Sequence, residues 1–304
     1  SVENSGIWEI LADDIDENVE MFVDSTAAAN TTYLYRVVAL RGPSQSGYDV
    51  SAGVESAGQI GRLLNLSNRA FVGVNEERLI GSAITTGEAG TDVEVLVVVR
   101  GPSLAGALPG TGVLADPKVT FTELPAGSGL EIVNDNFADF NSDEITTRFG
   151  AFIGDANEAG FIATLPSGKS FSAVVEGADG GTGVAQIEFY EIDSSGTLSD
   201  ARLLNLSNRA FVGVNEERLI GSAITTGDTE MQVLVVVRGP TLAGALPGTG
   251  VLADPMVTFT ELPAGSGLEI VNDNFADFNS NEITTRFGAF IGDASEAGFI
   301  ATLP

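Results

Sequence analysis

The stretch NDNFADFNSDE, residues 134–144, is the richest polar cluster of the chain. Within it Asp139, Asn141 and Asp143 stand at alternate positions, the spacing with which a calcium-binding loop begins; calcium takes about six to eight oxygen ligands. The rest of the helix–loop–helix calcium pattern is missing. Its sixth position calls for Gly and holds Glu144, and its twelfth calls for Glu and holds Gly150. A second copy of the cluster replaces Asp143 with Asn281, which keeps an oxygen and drops a charge. The candidate ligands of a loose calcium site are therefore Asp135, Asp139, Asn141, Asp143 and Glu144, with Asp273, Asp277 and Asn279 in the second copy. The competing reading is an Asx-rich loop whose side chains bond their own backbone.

Other chemistry is constrained by what the chain lacks. It has no His and no Cys, which removes Cys nucleophiles, Ser–His triads, His-ligated zinc, His-bound haem and thiolate clusters. Asp135, Asp139, Glu144 and Asp155 are the right type for the carboxylate pair of a glycosidase. With 42 Asp and Glu in 304 residues such pairs arise by chance, so no catalytic residue is assigned and no enzyme is expected. The segment GPSLAGALPGTG has the glycines of a phosphate loop without its Lys-Ser/Thr and reads as a plain loop. Arg69, Arg78 and Arg100 are expected to form structural ion pairs across strands with Glu76 and Glu77. Asn30, Asn65 and Asn205 satisfy the glycosylation sequon.

A formal net charge of −28 repels phosphate backbones, so nucleic acid is not an expected partner. Hydrophobic residues at 43% place the chain among globular proteins. No apolar run is long enough to span a bilayer, so no membrane insertion is expected.

The elements that carry these residues read as strands. DVEVLVVVR puts Val93, Val95, Val97 and Val99 on one face. GVAQIEFYEI sets Ala185, Ile187 and Phe189 against Gln186, Glu188 and Tyr190. KVTFTEL, GFIATLP and SFSAVVEG are short β-branched or aromatic runs, separated by Gly- and Pro-rich turns. Helical periodicity is nowhere sustained. The fold class is all-β: tandem β-sandwich modules of jelly-roll or Greek-key type.

The organisation is a repeat. RLLNLSNRAFVGVNEERLIGSAITTG occupies 62–87 and recurs unchanged at 202–227. After a two-residue deletion in a polar turn, 101–166 recurs at 239–304 with four differences: Ser103/Thr241, Lys118/Met256, Asp143/Asn281 and Asn157/Ser295. The first copy then continues through SGKSFSAVVEGADGGTGVAQIEFYEID. The second reaches Pro304, the counterpart of Pro166, so its last strands have no counterpart in the sequence. The expected domains are 1–57, a complete sandwich at 58–193, a linker at 194–201, and a second sandwich lacking its last strands at 202–304.

Two resemblances add to this. TTYLYRVVALRGPSQSGYDVS, with Tyr33, Tyr35, Val37, Ala39 and the turn from Gly42 to Ser46, resembles the end of a fibronectin type III domain. That likeness makes residues 1–57 a partial domain of this family. The motifs LLNLS, RLIGSA, GPSL, LADP, NDNF and GVAQIEFYEID follow the order of a module found in large secreted bacterial proteins, with Phe137 where that family usually has Trp. This resemblance implies an extracellular or cell-surface bacterial location beside other extracellular domains, and attaches no activity.

The expected function is that of an extracellular structural or adhesive protein, a surface or filament-forming subunit. Its incomplete sandwich is completed by strand addition from a neighbouring molecule, and the partner is another copy or another module of the same protein. Continuation of the polypeptide beyond Pro304 is the other explanation for the short second copy. The alternative function is a carbohydrate- or ligand-binding accessory module of a secreted enzyme, with glycans as ligands. Sugar sites favour exposed aromatics, and the chain has one Trp, Trp8, with Tyr190 and Phe137 as the remaining candidates. No cofactor is required, and calcium is the one candidate.

Overall fold

The structure is a computed structural model that describes residues 62–127, 129–150, 154–192, 201–227, 229–265, 267–288 and 292–303. N-terminal to these it describes four two-residue strands: β1 (Thr32–Tyr33), β2 (Leu40–Arg41), β3 (Ser44–Gln45) and β4 (Val54–Glu55). Strand β1 pairs with β4 and β2 with β3, both antiparallel. The rest of the fibronectin-like segment and the linker at 194–200 lie outside the described residues. The chain divides into two compact units, Ser1–Gly61 with Gly227–Thr229, and Arg62–Thr226 with Glu230–Pro304. Both repeats therefore belong to one compact unit.

The first repeat supplies β5 (Arg62–Val72), β6 (Leu79–Thr86), β7 (Asp92–Arg100), β8 (Pro117–Leu124), β9 (Glu131–Asn134), α1 (Ser142–Phe149), β10 (Ala159–Pro166), β11 (Ser170–Gly177) and β12 (Gly183–Ile192). The second supplies, in the same order, β13 (Arg202–Arg209), β14 (Ile220–Thr226), β15 (Met231–Val237), β16 (Val257–Thr260), β17 (Glu269–Asn272), α2 (Ser280–Phe287) and β18 (Ala297–Leu303). The all-β expectation holds: every strand pair is antiparallel, and the two helices have eight residues each. Neither is long enough to cross a membrane.

Two five-stranded sheets form the body of the fold, in the orders β10-β7-β12-β5-β14 and β13-β6-β11-β8-β9. Within the first repeat the chain passes between these sheets at almost every step; only β8 and β9 are consecutive strands that also pair. Alternation aims one set of side chains inward from each sheet. Val93, Val95, Val97 and Val99 of β7 and Ala185, Ile187 and Phe189 of β12 are buried, as their spacing predicts. They meet Val119 and Phe121 of β8 and Phe171, Ala173 and Val175 of β11 in one continuous core. Phe121 is its hub: its ring stacks on Phe171 with centroids 5.4 Å apart and touches Phe161 at 5.5 Å.

The helices are the element that sequence periodicity does not predict. Strand β7 is apolar on both faces, and α1 covers the outer one, packing Ile145 and Phe149 over Leu96, Val98 and Ile162. Eight residues with one apolar pair at i, i+4 are too few to show a period. The terminal signals are nevertheless present: Asp143 and Glu144 in the first turn, Arg148 in the last, and Gly150 at positive φ beyond it.

Candidate functional site

The second repeat differs from the first by what stands between its strands. In the first, β11 lies between β6 and β8, and β12 lies between β5 and β7. The counterparts of those flanking strands are β14 and β16, and β13 and β15. Among the described residues none of these pairs with its opposite number; β15 pairs with β18 and β16 with β17, as separate two-stranded sheets. Each sheet of the second sandwich is thus interrupted where one strand, the counterpart of β11 or β12, would stand.

Side-chain exposure marks the same two slots. Leu114, which sits beside the start of β12 and whose amide donates to Val184 O at 2.9 Å, is 1% exposed, whereas its counterpart Leu252 is 43% exposed. Val72 pairs with Gly183 of β12 and is 0% exposed, while Val212 is 38% exposed. Ala83 and Phe121 pair with Phe171 and Ala173 of β11 and are buried; their counterparts Ala223 and Phe259 are exposed and half-buried. Asn65 is buried and donates from Nδ2 to Phe189 O of β12 at 3.2 Å, whereas the identical Asn205 is exposed. The sequon at Asn65 is thus built into a sheet. The partial core that remains joins Ile270, Phe299 and Ala301 with Val233, Val235, Val257 and Phe259. Among the described residues the slots therefore present apolar walls and strand edges without a ladder partner, the two features that recruit an added strand.

The residues proposed for calcium are placed differently from a closed ligand shell. Asn134 and Asn272 are latches: Asn134 Oδ1 accepts from Gly160 N and Asn272 Oδ1 from Gly298 N, both at 2.8 Å. Asn141 and Asn279 precede α1 and α2 in the left-handed region, and their Oδ1 atoms accept from Ile162 N (3.2 Å) and Ile300 N (3.3 Å). Glu144 pairs with Arg148 at 2.8 Å. Asp139 and Asp277 end 3-10 turns, Asp143 lies exposed in the first turn of α1, and Asp273 Oδ1 accepts from Asn274 Nδ2 at 3.1 Å. Asp135 is the exception to this scatter, since its charge and that of Asp179, after burial, hold the Asp116 carboxyl above its ordinary range. Among the described residues no three acidic groups converge where a metal ion could be held. The Asn side chains of the cluster instead bond backbone.

A buried glutamate, which spacing did not single out, anchors each repeat. Glu158 Oε1 accepts from Gly101 N (2.8 Å), Ser103 N (2.9 Å) and Ser103 Oγ (2.6 Å), two amides and the hydroxyl of the GPS turn. Glu296 repeats this with Gly239 N (2.9 Å), Thr241 N (3.0 Å) and Thr241 Oγ1 (2.5 Å). Burial raises the Glu296 carboxyl, but bonds from the Thr241 hydroxyl and the Thr241 and Gly239 amides, with Arg238 nearby, leave it below its ordinary value. Gly101 and Gly239 permit the arrangement, because a Cβ on either would lie about 2 Å from the carbonyl oxygen of Leu114 or Leu252.

The expected arginine pairs take other partners. Arg78 meets Glu176 at 3.4 Å and Arg100 meets Glu188 at 2.8 Å. Arg69 reaches Glu216 of the other repeat at 3.0 Å, and Arg209 reaches Glu76 at 3.0 Å. Of the aromatics named for sugar binding, Phe137 starts the 3-10 turn Phe137–Asp139 with its amide held by Glu158 O. Tyr190 packs on the cluster under α1, and burial, then the charge of Glu188, pushes its phenol up to about 12. Tyr190 is thus occupied in packing, and Phe137 is half-buried. No protein-family model, no curated protein and no solved structure matches this chain.

Proposed function

We propose that the protein is a structural building unit of an extracellular assembly, in which a neighbouring molecule lays two strands into the open second sandwich. The observation that carries this reading is the pair of interrupted sheets with apolar walls. The walls have a known fit. Residues 62–87 and 202–227 are identical, β8 differs from its counterpart segment only by Lys118/Met256, and β7 differs from its counterpart by Asp92/Glu230, Val93/Met231 and Glu94/Gln232, so the second repeat offers most of the groups that hold β11 and β12 in the first. The occupant is a two-strand arch, one strand for each sheet, alternating apolar inward as Phe171, Ala173, Val175 and as Ala185, Ile187, Phe189 do. Main-chain hydrogen bonds supply affinity and the inward side chains supply register.

A structural role also accords with near-identical tandem modules and with a residue repertoire lacking His and Cys. Glycan binding is not favoured by Tyr190 or Phe137, neither of which is fully exposed.

The test is sedimentation of the 304-residue chain over a concentration series, with and without a synthetic peptide spanning Ser170–Ile192. Self-association that the peptide abolishes, with one peptide bound per chain, is the expected result. A chain that stays monomeric at every concentration and ignores the peptide contradicts the reading.

A further inference from the structure

The two repeats meet through a contact in which each uses the same residues. Strand β5 pairs with β14 from Arg62↔Thr226 to Arg69↔Ile220, with a register shift at Ile224/Thr225. Strand β13 pairs with β6 from Arg202↔Thr86 to Arg209↔Ile80, shifted at Leu203/Asn205. Each pair in one ladder becomes a pair in the other when 140 is added to or subtracted from its numbers; Ser67↔Ser222, for example, becomes Ser207↔Ser82. The ion pairs obey the same operation, Arg69–Glu216 and Arg209–Glu76 both measuring 3.0 Å. At the centre each residue meets its own counterpart: Asn68 hydrogen-bonds Asn208, and Phe71 bridges Phe211 with rings 6.2 Å apart at 70°. Leu203 is buried in the core of the first sandwich, so the contact reaches past the surface.

This is the geometry of an isologous interface, the kind a two-fold axis makes between identical subunits. Every residue in it lies within 62–87 or 202–227, and those segments are identical in sequence. We infer that this face is a homotypic adhesive surface that also joins separate molecules: the β5–β6 face of one chain pairs with the β13–β14 face of a second copy. Nothing in the contact distinguishes the other half of its own chain from that of a neighbour. The covalent connection alone favours the closed form, through an effective concentration on the order of millimolar for a short linker. Exchange therefore sets in when chains refold together or are crowded to that concentration, and because each chain carries two such faces the exchanged form extends into a polymer.

The face is separate from the open slots, which border the other edges of β13 and β14. Its test uses the absence of cysteine from the chain. Ser67 Oγ and Ser222 Oγ are 2.8 Å apart on directly opposed strands, which suits a disulfide after replacement. The chains Ser67→Cys and Ser222→Cys are unfolded together, refolded at a series of concentrations and oxidised, and the linked peptides are mapped. The double variant serves as the geometric control. Expected are a closed monomer from the double variant and, from the mixture, a 67–222 linked dimer whose share rises with concentration and drops at least tenfold when Arg69→Glu and Arg209→Glu are added to both chains. Saturating Ser170–Ile192 peptide leaves that dimer in place, so failure of strand addition and failure of this inference are read apart. A double variant that closes while the mixture gives no 67–222 dimer up to about 1 mM chain overturns the proposal. Should either cysteine variant fail to refold, the wild-type chain refolded at the same concentrations in saturating Ser170–Ile192 peptide supplies the reading: dimers that persist on dilution are expected, and monomer alone overturns it.

Discussion

At the scale of single residues, the buried glutamates hold the loops of each repeat. Glu158 gathers three donors, of which the Gly101 amide is buried and would be stranded without it, and a buried unsatisfied donor costs about 1–3 kcal/mol. Glu158→Ala is therefore expected to lower unfolding free energy by about 1–3 kcal/mol in denaturant titration, and Glu158→Gln by less, since the amide keeps an acceptor. Glu296 adds a pH dependence. Its carboxyl is held below the ordinary value, so the folded chain binds that proton less readily than the unfolded chain. The stability it contributes is complete above the usual carboxylate range and is lost as pH falls through the lowered value. Melting temperature should accordingly decline on acidification, and Glu296→Gln should flatten part of that decline; an unchanged acid profile in the variant would show that the bond set carries no charge preference. Neither glutamate was legible in the sequence. The GPS and GPT turns advertise free amides, but the acceptor stands 57 residues away from Gly101 and Gly239, among 42 acidic residues. The acidic cluster at 134–144 drew attention by composition, whereas its structural role belongs to Asn134 and Asn141, which tie the loop to β10.

At the scale of elements, strands were readable and helices were not. Alternation in β7 and β12 placed Val93, Val95, Val97, Val99, Ala185, Ile187 and Phe189 on buried faces, since period-two patterning survives in short runs. Helix α1 escaped because its tertiary role is to cap the second face of a strand that is apolar on both sides. Ile145 is the plug of that contact, 1% exposed against Leu96, Val98 and Ile162. Ile145→Ala is expected to cost about 2–4 kcal/mol through lost burial and the cavity left behind. The identical change at Ile283, also 1% exposed, should cost a comparable amount where α2 packs on β18. Denaturant midpoints of the two variants, read with probes in each repeat, check both. What pairs with what across the repeats lay beyond pattern altogether: two identical segments give no sign that β13 joins β6 while β14 joins β5.

At the scale of the molecule, the two repeats are unequal halves joined by an equal contact. The first is closed by β11 and β12; the second shows the same frame with those positions open. The sequence made the asymmetry visible, because the repeat could be followed to Pro166 and to Pro304. It did not show that β11 and β12 are interior strands, one in each sheet. That position matters physically. An absent edge strand leaves one unpaired edge, whereas an absent interior strand leaves two and uncovers the core beneath them. Filling both slots would bury Leu252, Val212 and Ala223, as Leu114, Val72 and Ala83 are buried in the first repeat, and close four edges at once.

The most direct test of strand addition is amide hydrogen exchange over 205–260 and 297–303 on the full chain, alone and with saturating Ser170–Ile192 peptide. The account predicts fast exchange along the slot edges of β13, β14, β15 and β16 in the free chain, and strong protection of all four once peptide is bound, with β5 to β10 unchanged. Protection already complete in the free chain at low concentration, or edges that exchange equally fast with and without peptide, would contradict it.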